Sequence, residues 1–315
     1  MDTPVVFVCS EKDFPKLERN IPQYQAYISG AITVIGKASL RQPCQRAGLA
    51  FIDEDALYPS LTYKAVEHIL RMRAGDVSRT GWYFQQFLKM AFAFTCTEPY
   101  YLLWDADTIP LHRYEATERP VFDTKTEHHQ AYFDTIQRLF PELRKEHDYS
   151  YISEHMLINS KIMREIVEQI EALQSVEGTS FFEKILYSVE PEELGKSGFS
   201  EYETYGTYTA HYYPQLYGQR DWTSLREEND WCNADVLSPR LKGWLAQRFD
   251  AVSFDSWRAV NRHKQKFMLR LSYFYGHDDA LRLYVLYVRD RMEFLRQVGA
   301  KRFLKIVLFP WLLKE

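Results

Sequence analysis

Cysteine is scarce in this chain of 315 residues: Cys9, Cys44, Cys96 and Cys232 lie far apart and form no CxxC pair. That excludes a disulfide framework and fits a reducing compartment. No apolar run approaches the ~20 residues needed to cross a bilayer, so any membrane contact is expected to be peripheral. The start sets Asp2 beside the short apolar run from Val5 to Val8. It lacks the basic start and small-residue cleavage site of a secretory leader, and a cytoplasmic location is the expectation. Internal repeats and low-complexity linkers are missing too. What is present is ample core material, 46% hydrophobic and 16% aromatic residues, which excludes disorder and fibrous architecture.

The net charge of −4 conceals an asymmetry. From Arg258 to Glu315 there are 13 Lys+Arg against 5 Asp+Glu, a balance of +8, which leaves −12 on residues 1–257. An acidic body argues against a nucleic-acid-coating protein. The basic tail fits an anionic lipid surface better. The chain is therefore read as one large domain over 1–255 followed by a basic helical region over 256–315, in contact with a membrane surface or with a second subunit.

Short β-rich runs alternate with helical stretches in the first half, the pattern of an α/β domain with a mostly parallel sheet flanked by helices. The candidate strands are Val5–Cys9, Ala31–Ile35, Leu49–Ile52 and Tyr100–Trp104. The last is apolar throughout, as a strand buried on both faces should be. Helices are expected at Tyr63–Arg73 and Gly81–Cys96, the second exposing Gln85, Gln86 and Lys89. Further helices are expected at His129–Phe140, Lys161–Leu173, Ser180–Tyr187 and Leu281–Val298, with a short strand at Tyr149–Ile152 and Gly299 as a C-cap.

The most informative segment is YYLLWDADTIPL, residues 100–111. Ligands of open α/β sheets collect beyond the carboxyl ends of the strands. Two carboxylates two positions apart there, Asp105 and Asp107, suit a hard divalent cation that bridges diphosphate oxygens and neutralises a leaving group. The other reading is a plain polar turn ended by Pro110. Asp53 and Asp55, in IDED after the third strand, form a weaker pair of the same kind.

RTGWYFQQFLKMAFA, then YLLWDADTIPL, YISEHMLINS and FSEYETYG, in that order, resemble the bacterial GT-A glycosyltransferases of surface-polysaccharide loci such as those for capsule and O-antigen. The likeness covers roughly residues 5–255. It implies a GT-A fold, Rossmann-like and mostly parallel, a nucleotide-sugar donor, probed first as a UDP-sugar, and Mn²⁺ or Mg²⁺. It also implies a glycan or polyprenyl-diphosphate-linked acceptor. Asp105 would then approach the donor ribose or the metal, and Asp107 would be the direct metal ligand. Cys9, Ser10 and Lys12, after the first strand, fall where such an enzyme holds the nucleotide, and Asp53 is assigned to the donor base.

Gln86 and Lys89 sit about one helical turn apart and either address the donor or line a solvated helix face. Glu201, then Glu203, are the candidates for removing the acceptor proton in an inverting transfer. The competing reading makes them helix-start acids after Ser200 as N-cap. Glu154 and His155 are placed on the acceptor side, His211 is the candidate third metal ligand, and Tyr205 is the tyrosine assigned to the acceptor among several expected to pack. In residues 299–315, Lys301, Arg302 and Lys305 beside a strongly apolar sequence permit lying in a membrane interface or docking on protein.

Two other functions compete. A sugar-phosphate nucleotidyltransferase would need a Gly-rich loop after the first strand, and CSEKDF has no glycine. A non-catalytic carbohydrate-binding or scaffold protein would tolerate loss of Glu201.

Overall fold

The structure, a computed structural model, describes residues 3–114, 119–226, 237–254 and 261–308. The chain divides into two compact units: one of residues 1–18, 28–106 and 114–222, the other of residues 19–27, 107–113 and 223–315. The second unit thus joins two short pieces from the body of the chain to residues 223–315. Cys9, Cys44 and Cys96 are buried free thiols, while Cys232 lies outside the described residues.

The first unit is built on strands β1 (Val5–Val8), β2 (Ile32–Gly36), β3 (Ala50–Asp53) and β4 (Tyr100–Trp104), each within a residue of its expected limits. With the strand His155–Asn159 they form a five-stranded sheet in the order β3, β2, β1, β4, His155–Asn159. The first four run parallel, and His155–Asn159 is antiparallel to β4. The architecture is therefore α/β with a mostly parallel central sheet and flanking helices. Between β1 and β4 the strand order reverses direction, the switch point at which such sheets open a crevice beyond their carboxyl ends. The register Val6↔Leu103 brings those two ends side by side.

Local chemistry sets the helix limits. Thr62 accepts the Ala65 N–H and starts the helix Tyr63–Ala74, which Gly75 ends at φ +67°. Asn159 caps Ser160–Ala172, and Ser200 caps Glu201–Tyr212 through the Glu203 N–H. Phe87, Leu103, Ile166, Phe182 and Tyr205 lie in the core of this unit and have no exposed surface. The run Tyr149–Ile152 is not a strand: only Ser150 bridges, to Lys125, and the strand begins after it, at His155. The turn between them is made by Glu154 at φ +62°.

The second unit holds a small sheet of Thr108–Pro110, Ala251–Ser253 and Ser224–Leu225. Helices Pro239–Leu245, Arg262–Leu271, His277–Arg289 and Arg291–Val298 surround a core that includes Leu245, Val252, Met268 and Phe294. The helix expected over Leu281–Val298 is broken at Asp290, whose carboxylate accepts the Met292 and Glu293 N–H groups and so caps a new helix. Gly299 ends it at φ +76°, as expected. Among the described residues no helix is long and apolar enough to cross a membrane.

Candidate functional site

Strand β4 delivers Asp105 to the switch point, and the helix Thr80–Ala91 delivers Lys89 to Asp105. The Lys89 Nζ donates to Asp105 Oδ1 at 2.6 Å and to Glu201 Oε1 at 2.7 Å. Tyr202 completes the group: its hydroxyl donates to Asp105 Oδ1 at 3.2 Å and lies 3.2 Å from the ammonium, which also sits 4.5 Å from the ring centre. Gln86, one turn before Lys89, accepts the Glu201 N–H at 3.0 Å and so satisfies one of the open donors at that helix start.

Both readings of Gln86 and Lys89, donor contact and a solvated helix face, have these side chains exposed, yet they are 2% and 3% exposed. A lysine is enclosed only when paired, because an isolated buried ammonium is strongly disfavoured. Here two carboxylates and a tyrosine satisfy it. Burial on its own would lower the Lys89 pKa, but Asp105 and Glu201 hold it well above the ordinary lysine value. Burial raises the Glu201 carboxyl, with Lys89 opposing and Asp105 adding to the rise. The side chains of Lys89 and Glu201 are 4% and 5% exposed and that of Asp105 is 27% exposed, so Asp105 is the most accessible of the three.

Glu203 points elsewhere. Its Oε1 accepts from the Ser150 hydroxyl and from the Tyr151 N–H, and burial raises its carboxyl. Enclosed in this way, it has no route to an acceptor hydroxyl and serves as an internal anchor for the loop before Glu154. Glu201 is likewise enclosed, and its link to the crevice runs through Lys89.

Glu154 pairs with Lys125, and its carbonyl accepts the Asp105 N–H at 2.9 Å, so the strained turn supports the candidate carboxylate directly. His155 is 1% exposed. Its Nε2 meets Asp123 Oδ2 at 2.8 Å and its Nδ1 meets the Ser153 carbonyl at 2.9 Å. The ring stacks on Trp104 at 4.6 Å between centres, with Trp222 at 4.4 Å. Arg220 grips Asp123 with both arms of its guanidinium, at 2.6 and 2.9 Å. Against the effect of burial, the hydrogen bonds from His155 and Arg220 hold the Asp123 carboxyl below its ordinary value. The acceptor assignment of His155 therefore gives way to a buried supporting role behind β4.

Two further expectations change. Tyr205 has no exposed surface, and its hydroxyl is used by the Asn159 N–H and the Tyr217 hydroxyl, so it cannot meet an acceptor. His211 pairs with Glu146 and sits ten residues along the helix from Glu201, about 15 Å of rise, so it is not brought to Asp105. After β1, the Cys9 thiol is buried, while Ser10 and Lys12 are exposed. Ser10 exchanges hydrogen bonds with Asp13 ahead of the helix Phe14–Tyr27. Asp53, at the end of β3, accepts the Asp55 N–H and lies 3.8 Å from Arg41. Asp107 belongs to the second unit, where its carbonyl accepts the Phe254 N–H at 2.9 Å. Ser150, Lys125, Asp123 and Arg220 were not singled out from the sequence, and Tyr202 was read only as one of the packing tyrosines. For Tyr202 a signal existed: it stands next to Glu201 at the start of a helix whose acids had been noted.

Among the described residues no three His, Cys, Asp or Glu side chains are grouped as a metal site. Oxygen ligands of the DAD type suit Mg²⁺ or Mn²⁺. Lys89 and Tyr202 both engage Asp105 Oδ1.

Residues 44–260 match the profile of a family described as "Family of unknown function (DUF6492)". No curated protein sequence matches the chain. Solved structures similar to it include two transferases. One is mouse xyloside xylosyltransferase 1 in its apo form, at 13% identity and a TM-score of 0.40, covering 81% of this chain and 98% of that one. The other is the apo-form glycosyltransferase GlyE of Streptococcus pneumoniae TIGR4, at 13% identity and a TM-score of 0.30, covering 64% of this chain and 44% of that one.

Proposed function

This chain belongs to the family of unknown function DUF6492, and from its own residues we propose that it is a metal-dependent glycosyltransferase of GT-A type, taking a sugar from a nucleoside diphosphate. The observation that carries this reading is the Lys89 ammonium, buried between Asp105 and Glu201, which fixes Asp105 at the carboxyl end of β4 beside the switch point. A carboxylate held in this way is organised before any ligand arrives, which is what orientation of a sugar nucleotide requires. The order of the four sequence motifs supports the same reading. The acceptor is a glycan or lipid-linked oligosaccharide of bacterial surface-polysaccharide synthesis.

In this mechanism Asp105 Oδ1 stays with Lys89 and Tyr202, and the outward side of the carboxylate orients the donor. Asp107 would hold the cation, which would supply Lewis-acid neutralisation of the departing diphosphate. Glu201 sets the position and charge of Lys89 and acts on Asp105 through it, as a positioning residue. Ser10 and Lys12, exposed after β1, are available to the nucleotide, and Asp53 to its base.

The test is a thermal-shift and calorimetric comparison of UDP, GDP and CMP with and without Mn²⁺, on wild type and Asp107→Ala, followed by hydrolysis assays with the matching sugar nucleotides. Native-state binding raises apparent stability by about 2.7 kcal/mol at a hundredfold excess over Kd. One nucleotide is expected to stabilise wild type only with metal, and the folded Asp107→Ala chain is expected to lose that response. A wild type indifferent to every nucleotide, or a variant responding equally, rejects the reading.

A further inference from the structure

In the second unit the helix His277–Arg289 buries Ala280 and Leu283 in its core and turns a different stripe outward. Leu281, Val285 and Val288 recur at the spacing of one helix face and are all exposed, Val288 at 65%. Met292, in the next helix, is 63% exposed, and Leu304 is 41% exposed. From 281 to 305 the chain carries Arg282, Arg289, Arg291, Arg296, Lys301, Arg302 and Lys305 against only Asp290 and Glu293.

We propose that this face of the second unit, the apolar stripe Leu281, Val285, Val288 and Met292 with its flanking arginines, docks on an anionic phospholipid bilayer. An exposed apolar stripe flanked by cations is the arrangement that seats a helix at the headgroup boundary, with apolar insertion and attraction to acidic lipid acting together. Charge decides between this occupant and a second copy of the chain. A two-fold dimer through the same face would set its cations against an identical set of cations, which like-charge repulsion opposes. An anionic surface complements them. The stripe also lies before the segment 299–315, in which the sequence had suggested an interfacial role. The inference does not depend on glycosyl transfer, since donor binding is read at Asp105 and vesicle binding here.

The experiment is co-sedimentation of the full chain with phosphatidylcholine vesicles, with and without phosphatidylglycerol, across a salt series, alongside light scattering in the absence of lipid. The chain should sediment with phosphatidylglycerol vesicles alone and be released as salt rises. The variant Arg289→Gln with Arg291→Gln should bind them roughly 30-fold more weakly, at about 1 kcal/mol per cation. The variant Val288→Asp with Met292→Asp should lose binding, with its thermal midpoint and nucleotide response kept because both positions are exposed. Failure of wild type to bind phosphatidylglycerol vesicles at low salt overturns the proposal. So does equal binding by either folded double variant, equal binding to neutral vesicles, or a lipid-free dimer that Val288→Asp with Met292→Asp dissociates.

Discussion

Lys89 and Glu201, 112 residues apart in the chain, meet at 2.7 Å with both side chains at most 5% exposed. The contact ties the helix that precedes β4 to the helix that begins at Glu201, and Asp105 is held by the same ammonium.

Removing the cation leaves two carboxylates facing one another in an enclosed space. Lys89→Met should therefore destabilise the chain by about 3–5 kcal/mol, the usual cost of breaking a buried pair from one side. Lys89→Met combined with Glu201→Gln should recover part of that loss, because one of the stranded charges is gone. Urea denaturation of the three chains checks both statements. A double variant no more stable than Lys89→Met would mean that the ion pair is not the source of the cost.

Periodicity explains why Lys89 was misread. Polar residues on an amphipathic helix are assigned to solvent, and a buried ion pair depends on a partner more than a hundred residues away that no local pattern announces. The four parallel strands were legible to within one residue because an apolar run between turns has few alternatives, and β4 lies almost entirely out of solvent, from Tyr101 to Trp104. Glu154 and His155 were read as following a strand, whereas the strand begins at His155, because the αL backbone of a glutamate leaves no mark in composition. The competing reading of the acids at 201 and 203 as helix-start residues holds, but whether such acids are exposed or enclosed is settled by what packs on them.

Glu203 gives a pH dependence of opposite sign to the common acid transition. Burial raises its carboxyl in the folded chain, so the folded state holds the proton more tightly than the unfolded state. Stability from this group is full below the unfolded carboxylate pKa and declines as pH rises through the raised folded value. Glu203→Gln, which keeps an acceptor for Ser150 and cannot ionise, should have a thermal midpoint at neutral pH no lower than wild type. Its midpoint should also fall less between mildly acidic and neutral pH. A midpoint several degrees lower at neutral pH contradicts the argument.

Asp123 behaves in the reverse sense. Its carboxyl is held below the ordinary value, so its contribution is complete above the unfolded carboxylate pKa and is lost as pH falls through the lowered folded value. Asp123→Asn should cost about 3 kcal/mol near neutrality, where it strands Arg220 and His155, and the gap to wild type should close in strong acid. Denaturation at a series of pH values measures that convergence, and a gap that persists at the lowest pH counts against it.

Gly206 lies inside the helix Glu201–Tyr212 with the Tyr151 ring against it. A Cβ there would meet the Tyr151 Cγ at 2.2 Å, closer than any relaxed contact. Gly206→Ala gains intrinsic helix propensity and should still lose about 1–3 kcal/mol through overpacking. Calorimetry decides the sign, and a stabilised variant would show that Tyr151 can move aside freely.

The turn at Glu154 also has a consequence for the folding of the sheet. Side chains of a strand alternate between faces with a period of two, so a slip of one residue ahead of His155 would exchange the environments of His155 and Met156. The left-handed backbone at Glu154, tied by its side chain to Lys125 and by its carbonyl to Asp105, acts as a phase mark for the lone antiparallel strand of this sheet. It pins which residue enters the aromatic enclosure of Trp104 and Trp222. Error in register is thereby checked at the place where the polypeptide also fixes its foremost carboxylate.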